Sequence, residues 1–273
     1  MSIEAAVRYS AKHGNEATVI MLDDEIAAEE YGNGFNAEKA HALYSGTKSF
    51  WGPLAIRAEE DGLLRLDENV AETIDEWRDD VAKRQITVRM LLSLTAGFGF
   101  GGLGSAVPPY ERAIATPLKN TPGATFTYGG VPLQIFGALL SRKLEAASLG
   151  DSPHEYLMKR LLAPARVDVA SWRILGDGTK PLPTGAFLTA REWLRYGSYV
   201  AKRRDEFAAC FQASEAHGRY GLGWWLDPEQ SFFYASGSGG QGLYIIPAQD
   251  LVAVHFGKSS SYRHPAFLKS LLN

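Results

Sequence analysis

Ser45 and Lys48 stand three residues apart in Ser45-Gly46-Thr47-Lys48, and this pair is where the sequence first offers chemistry. On a helix that begins at the serine, positions i and i+3 share a face, so the amine reaches the hydroxyl. The positive end of the helix dipole and burial both disfavour an ammonium there. A neutral amine is a usable general base, and a serine hydroxyl needs one to attack a carbonyl near neutral pH. The same residues also read as a helix-start serine followed by a surface lysine. An S-x-x-K match arises about once by chance in a chain of ordinary composition and this length. The spacing alone leaves both readings open.

Other reactive patterns are weaker. Gly99–Gly104 and Gly237–Gly242 both match G-x-G-x-x-G, but a dinucleotide fingerprint needs a strand before it and a helix after it. The first follows a helical stretch and the second lies between two strand-like runs, so both read as turns and no nucleotide cofactor is expected. The histidines form no H-E-x-x-H and no Cys/His cluster, so no metal site is indicated. No G-x-S-x-G elbow occurs. Cys210 is the only cysteine, which excludes an intrachain disulfide and reads as a buried thiol.

The elements that must position Ser45 can be read from periodicity. Residues 3–12 read as a short helix. Residues 17–22 and 25–31 read as two strands joined at Asp23-Asp24. From Ser45 the chain turns helical to about Glu60, and Arg84 to Leu94 reads as another helix ending at Gly97. Leu133, Phe136, Leu140 and Leu144 recur at helical spacing. Ser152-Pro153-His154-Glu155 and Thr189-Ala190-Arg191-Glu192 read as capping boxes, the second followed by Trp193, Tyr196 and Val200 on one face. Residues 220–226, 231–236, 242–246 and 251–256 read as four strands with short connections, which favours antiparallel pairing, and residues 258–272 as a closing helix. Strands at both ends and helices between them predict an α+β fold: an antiparallel sheet flanked by helices, with an inserted, mostly helical lobe. We expect one domain over 1–273, with an α/β lobe at about 1–60 and 180–273 and a helical lobe at about 61–179.

The net charge is −3 and the pI about 6.1, so nothing calls for a nucleic-acid partner. The basic run Lys202-Arg203-Arg204 is followed at once by Asp205-Glu206 and reads as a solvated helix end. The first residues lack a basic and an apolar signal region, and no run reaches the roughly 18 apolar residues of a membrane span. As it stands the chain reads as cytoplasmic and independent of membranes.

Longer stretches of text carry a resemblance. Tyr44–Phe50 (YSGTKSF) resembles the active-site serine motif of the serine β-lactamase and penicillin-binding-protein superfamily, especially its class C and esterase branch. Asp61–Val70 (DGLLRLDENV), Ile86–Gly97 (ITVRMLLSLTAG), Thr121–Tyr128 (TPGATFTY), Gly221–Trp225 (GLGWW) and Gly239–Gly242 (GGQG) follow the same family's order along nearly the whole chain. The resemblance implies that Ser45 is the nucleophile, Lys48 its base partner and Tyr128 the third catalytic group. It implies an oxyanion hole made by the backbone N–H groups of Ser45 and Ser238, and substrate contacts from Ser236, Gly237, Gln241 and Trp225. It implies no cofactor and a small-molecule substrate.

Two positions depart from the family's pattern. The second residue after Tyr128 is Gly130, where the family usually has Asn to contact substrate and lysine. The K-T-G or H-T-G strand reads Ala235-Ser236-Gly237, without the cation that meets a substrate carboxylate. These departures point to an acyl-enzyme hydrolase of esters or small amides. A β-lactamase or D-Ala-D-Ala peptidase, and a catalytically silent binding protein on the same fold, are the alternatives. Phe98, Trp224, Trp225 and Tyr244 are candidates for an apolar pocket, and the Gly99–Gly104 loop for a lid.

Overall fold

The computed structural model describes residues 1–100, 106–229 and 231–273 of the chain. Its helices are α1 (Ile3–Lys12), α2 (Trp51–Glu60), α3 (Val88–Leu92), α4 (Tyr110–Ile114), α5 (Val131–Ala146), α6 (Pro153–Leu157), α7 (Ala190–Lys202) and α8 (His264–Leu272). Its strands are β1 (Asn15–Leu22), β2 (Glu25–Tyr31), β3 (His41–Ala42), β4 (Ser171–Trp172), β5 (Ala186–Leu188), β6 (Trp225–Leu226), β7 (Phe233–Gly237), β8 (Gln241–Ile246) and β9 (Leu251–Gly257).

The main sheet has the order β2-β1-β9-β8-β7-β6 and is antiparallel throughout. Asp23 and Asp24 both adopt positive φ, 50° and 65°, so a tight two-residue turn returns β1 into β2. β1 then pairs with β9, with Val19 opposite Val254 and Ile20 opposite Ala253. This single pairing joins the N-terminal hairpin to the C-terminal meander, as the strand pattern at the two ends predicts. Ser2 N–H also donates to Leu271 O at 2.9 Å, closing the chain ends on each other.

Both faces of the sheet are covered, so β8 and β9 are buried along their whole length. Side chains alternate between the two sides. Ile20, Tyr244, Ile246 and Ala253 pack with Ala6, Phe267 and Leu271 under α1 and α8. Val19, Leu243, Ile245 and Val254 join the larger core with Trp193 and Val200 of α7 and Leu54 of α2. Among the described residues, no helix is long and apolar enough to cross a membrane.

Several sequence expectations are corrected. Arg84 to Leu94 is not one helix but a 3-10 turn at Lys83–Gln85 followed by α3. Ile86 and Thr87 are extended between them; the Thr87 hydroxyl caps α3 by accepting from Met90 N–H, and Leu94 leaves it at φ 59°. β-Branched Ile86-Thr87-Val88 suits that extended break. The two capping boxes are half-formed. Ser152 and Thr189 each accept from the N–H three residues on, both at 3.2 Å. The Glu192 carboxylate instead accepts from Asp168 N–H and pairs with Arg195. The strand expected at 220–226 pairs as a ladder only at Trp225–Leu226. The small sheet β3-β5-β4 escaped notice because its strands of two and three residues are too short to show a period. It matters here because β3 ends two residues before Tyr44.

Thr189→Ala removes the cap of α7, the helix beneath the sheet. We expect a loss of about 1 kcal/mol and a fall of roughly 2–4 °C in Tm, read by thermal unfolding. An unchanged Tm contradicts this role for the cap.

Candidate active site

Ser45 lies in a 3-10 turn, Tyr44–Phe50, that runs directly into α2. In a 3-10 turn residues i and i+3 eclipse, which stacks Lys48 over Ser45 more closely than an α-helix does. Tyr44, just before the serine, is held at φ 47° with 41% of its surface exposed. The turn is braced from below, because Leu43 N–H donates to Ala186 O at 2.9 Å, tying it to β5. It is braced from the side by β7. A Cβ on Gly237 would stand 2.1 Å from Leu43 O, so only glycine lets the strand end approach this closely. That contact brings Ser238, the next residue, beside the nucleophile turn.

Lys48 is 3% exposed. Its Nζ lies 3.0 Å from Ser45 Oγ and 3.1 Å from Pro183 O. It sits 4.8 Å above the centre of the Tyr128 ring. Among the described residues it has no carboxylate partner, and burial alone pulls its pKa from 10.5 down to about 7. Tyr128 reaches the site because the segment before it is pinned to the end of α3. Gly123 N–H donates to Thr95 O at 2.8 Å and Thr127 N–H to Leu94 O at 2.9 Å. Burial pushes the Tyr128 phenol up, and the neighbouring Ser45 hydroxyl partly offsets this. Ser45, Lys48 and Tyr128 therefore converge.

The remaining sequence candidates divide. Trp225 is half-buried and stacks on the Tyr128 ring, with centroids 5.8 Å apart and planes at 19°. Ser236 is half-buried in β7 opposite Gly242, and Ser238 is exposed at the turn that follows. Gln241 does not offer its side chain to a substrate. It is fully buried, and its amide donates to Ser238 O and Gly257 O and accepts from Gly257 N–H. It anchors the Ser238 turn from behind.

Three pocket candidates are core residues. Tyr244 is buried and bonded to Tyr262 and His264, Trp224 is fully buried, and Phe98 packs on Trp77. Most of the candidate lid, from Gly101 onward, lies outside the described residues.

Ala235, where the family's pattern has a cation, points its methyl into the large core. Gly130 has a different surrounding. A Cβ there would meet Pro183 Cγ at 3.2 Å, so the space an Asn side chain would enter is already lined by proline. Pro183 was not singled out from the sequence, since contact across that separation leaves no local signal. Nor was His41, whose Nε2 lies 2.5 Å from Glu16 Oε2 in a buried pair just before the nucleophile turn.

Comparison with known proteins comes to the same fold. A family model described as Beta-lactamase matches residues 11–263. A provisionally named beta-lactamase from Bacteroides dorei superposes with a TM-score of 0.78 at 17% identity, covering 97% of this chain and 95% of that one. A penicillin-binding protein from Bacillus halodurans gives 0.74 at 16% identity, covering 99% and 100%. A provisionally named 6-aminohexanoate-dimer hydrolase from Bacillus anthracis gives 0.71 at 17%, covering 97% and 80%. No curated protein matches the chain.

The buried Lys48 makes a prediction for stability. Its folded pKa of about 7 lies below its ordinary 10.5, so the unfolded chain binds more protons between those values. The penalty is full below about pH 7 and fades as pH rises toward 10.5. Lys48→Met should therefore be the more stable protein at pH 6, by on the order of a few kcal/mol, with the advantage shrinking at pH 9. Urea unfolding at both pH values reads this; a difference independent of pH contradicts it.

Proposed function

The chain belongs to the beta-lactamase family of serine hydrolases, and on that premise we propose that it hydrolyses neutral esters or small amides through an acyl-enzyme on Ser45. The observation that carries this reading is the 3.0 Å approach of a buried, carboxylate-free lysine amine to the serine hydroxyl.

With its proton lost near neutral pH, Lys48 takes the proton of Ser45 as Oγ attacks the carbonyl carbon. The C=O electron pair moves onto oxygen, and the oxyanion is met by the N–H groups of Ser45 and Ser238. The tetrahedral centre collapses, the bond to the alcohol or amine breaks, and Tyr128 passes a proton to the departing group. Water then attacks the acyl-enzyme with the same groups working in reverse, releasing acid and free Ser45. Preorganised donors of this kind supply much of the rate in acyl transfer.

The substrate class follows from what β7 lacks. Ala235 buries a methyl where a cation would pair with a substrate carboxylate, which favours neutral substrates. The exposed part of the Tyr128–Trp225 stack adds an apolar surface beside the proton donor. One fold neighbour is named for a 6-aminohexanoate dimer and not for a β-lactam, which supports breadth in the acyl group. The family itself favours the second reading, a β-lactamase or D-Ala-D-Ala peptidase with unusual substrate contacts.

A fluorophosphonate probe should label the folded protein at Ser45, and Ser45→Ala should abolish labelling. p-Nitrophenyl acetate should be hydrolysed faster than a chromogenic cephalosporin, and Tyr128→Phe should lower kcat by about 10²–10⁴. Faster cephalosporin turnover favours the second reading; no labelling of folded protein leaves a binding protein.

A further inference from the structure

Pro181-Leu182-Pro183 forms a short strap over the lysine, and every polar group of its backbone is taken by a side chain. Pro181 O accepts from Trp172 Nε1 at 3.0 Å, Leu182 O from Trp51 Nε1 at 2.6 Å and Pro183 O from Lys48 Nζ at 3.1 Å. The two prolines have no N–H. The one N–H of the strap, on Leu182, donates to Gln134 Oε1 at 2.8 Å. Gln134 is fully buried on α5, and its Nε2 donates to Pro108 O at 2.8 Å. One amide thus ties together the strap and the segment leading into α4. Gln134 also stands one helical turn after Gly130, the glycine whose open side faces Pro183.

Buried backbone polar groups are satisfied almost without exception, and an amide placed between two loops fixes both. Nothing in the Ser45 chemistry requires a glutamine at this position. The run Val131–Leu140 is otherwise apolar, and a leucine there would fit the helix.

We propose that Gln134 is a positioning residue for Lys48: by holding Leu182 against Pro108, it keeps the Pro183 carbonyl on the amine and closes the space beside Gly130 to water. The inference rests on the reading of Lys48 as the base for Ser45. The strap does from the backbone what a side chain at position 130 would otherwise do. The groups that face Lys48 are the Ser45 hydroxyl from its own turn, the Tyr128 ring from the segment before α5, and the Pro183 carbonyl from the strap. None of these is a carboxylate, so water is the agent that would restore an ordinary ammonium if the strap lifted.

The test is the pH dependence of fluorophosphonate labelling of Ser45, which needs no knowledge of the natural substrate. Gln134→Met keeps the size and removes both hydrogen bonds. Trp172→Phe removes a second strap anchor, the one on Pro181, and carries the test if Gln134→Met does not fold. We expect the labelling rate at pH 7 to fall about fivefold in Gln134→Met. The acidic limb should move up by about one pH unit, because a hydrated ammonium regains basicity. Trp172→Phe should move the limb the same way by less. A folded variant that labels within twofold of the parent, or whose limb stays in place or moves down while Tm falls, overturns the positioning role. If the parent protein itself is not labelled, the reading of Ser45 fails, which is a different result.

Discussion

An amine buried without a carboxylate has two ways to lower its cost: it finds acceptors for its protons, or it gives one up. Lys48 does some of each. A backbone carbonyl and a serine hydroxyl take its hydrogen bonds, and burial brings its pKa to about 7. A carboxylate in the same place would hold the ammonium firmly and leave Ser45 without a base. The rest of the site is arranged around keeping that amine dry and unpaired. The energetic cost falls on the folded state, and the core on both sides of the sheet has to offset it.

Much of the fold serves this one constraint. The β1–β9 pairing brings the two ends of the chain into one sheet, so that the nucleophile turn after β3 and the Ser238 turn after β7 lie side by side. Two buried glutamines then fix the two flanks. Gln241 holds the Ser238 turn through Gly257 of β9, and Gln134 holds the strap over Lys48. Aromatic rings fill the remaining wall, with Tyr128 stacked on Trp225 and Trp225 on Tyr234. Such packing leaves the polar atoms of the site few places to move.

What was legible in the sequence is what depends on near neighbours. The S-x-x-K spacing, the β1–β2 hairpin, the meander and the α5 stripe all repeat over a few residues, and all are present, with the first strand of the meander shortened to Trp225–Leu226. The family resemblance added Tyr128, whose position no local pattern reveals. What escaped depends on contacts between distant segments. The Gly130 departure looked like a lost contact, but Pro183 lines that space and its carbonyl meets Lys48. The resemblance alone implies Gln241 as a substrate contact, and the approach of β9 buries it instead. Gln134 did leave a signal, a single amide in an apolar helical run, and such an isolated polar residue on a buried face is worth reading as a clamp.

The protonation state of Lys48 is the centre of the account, and it can be observed directly. With lysine labelled at the ε-carbon, the Lys48 resonance is assigned by its absence in Lys48→Arg and followed by NMR from pH 5 to pH 11. The account predicts a midpoint of about 7. A midpoint within a unit of the ordinary 10.5 would mean that the amine stays charged at neutral pH, and it would contradict Lys48 as the base that activates Ser45.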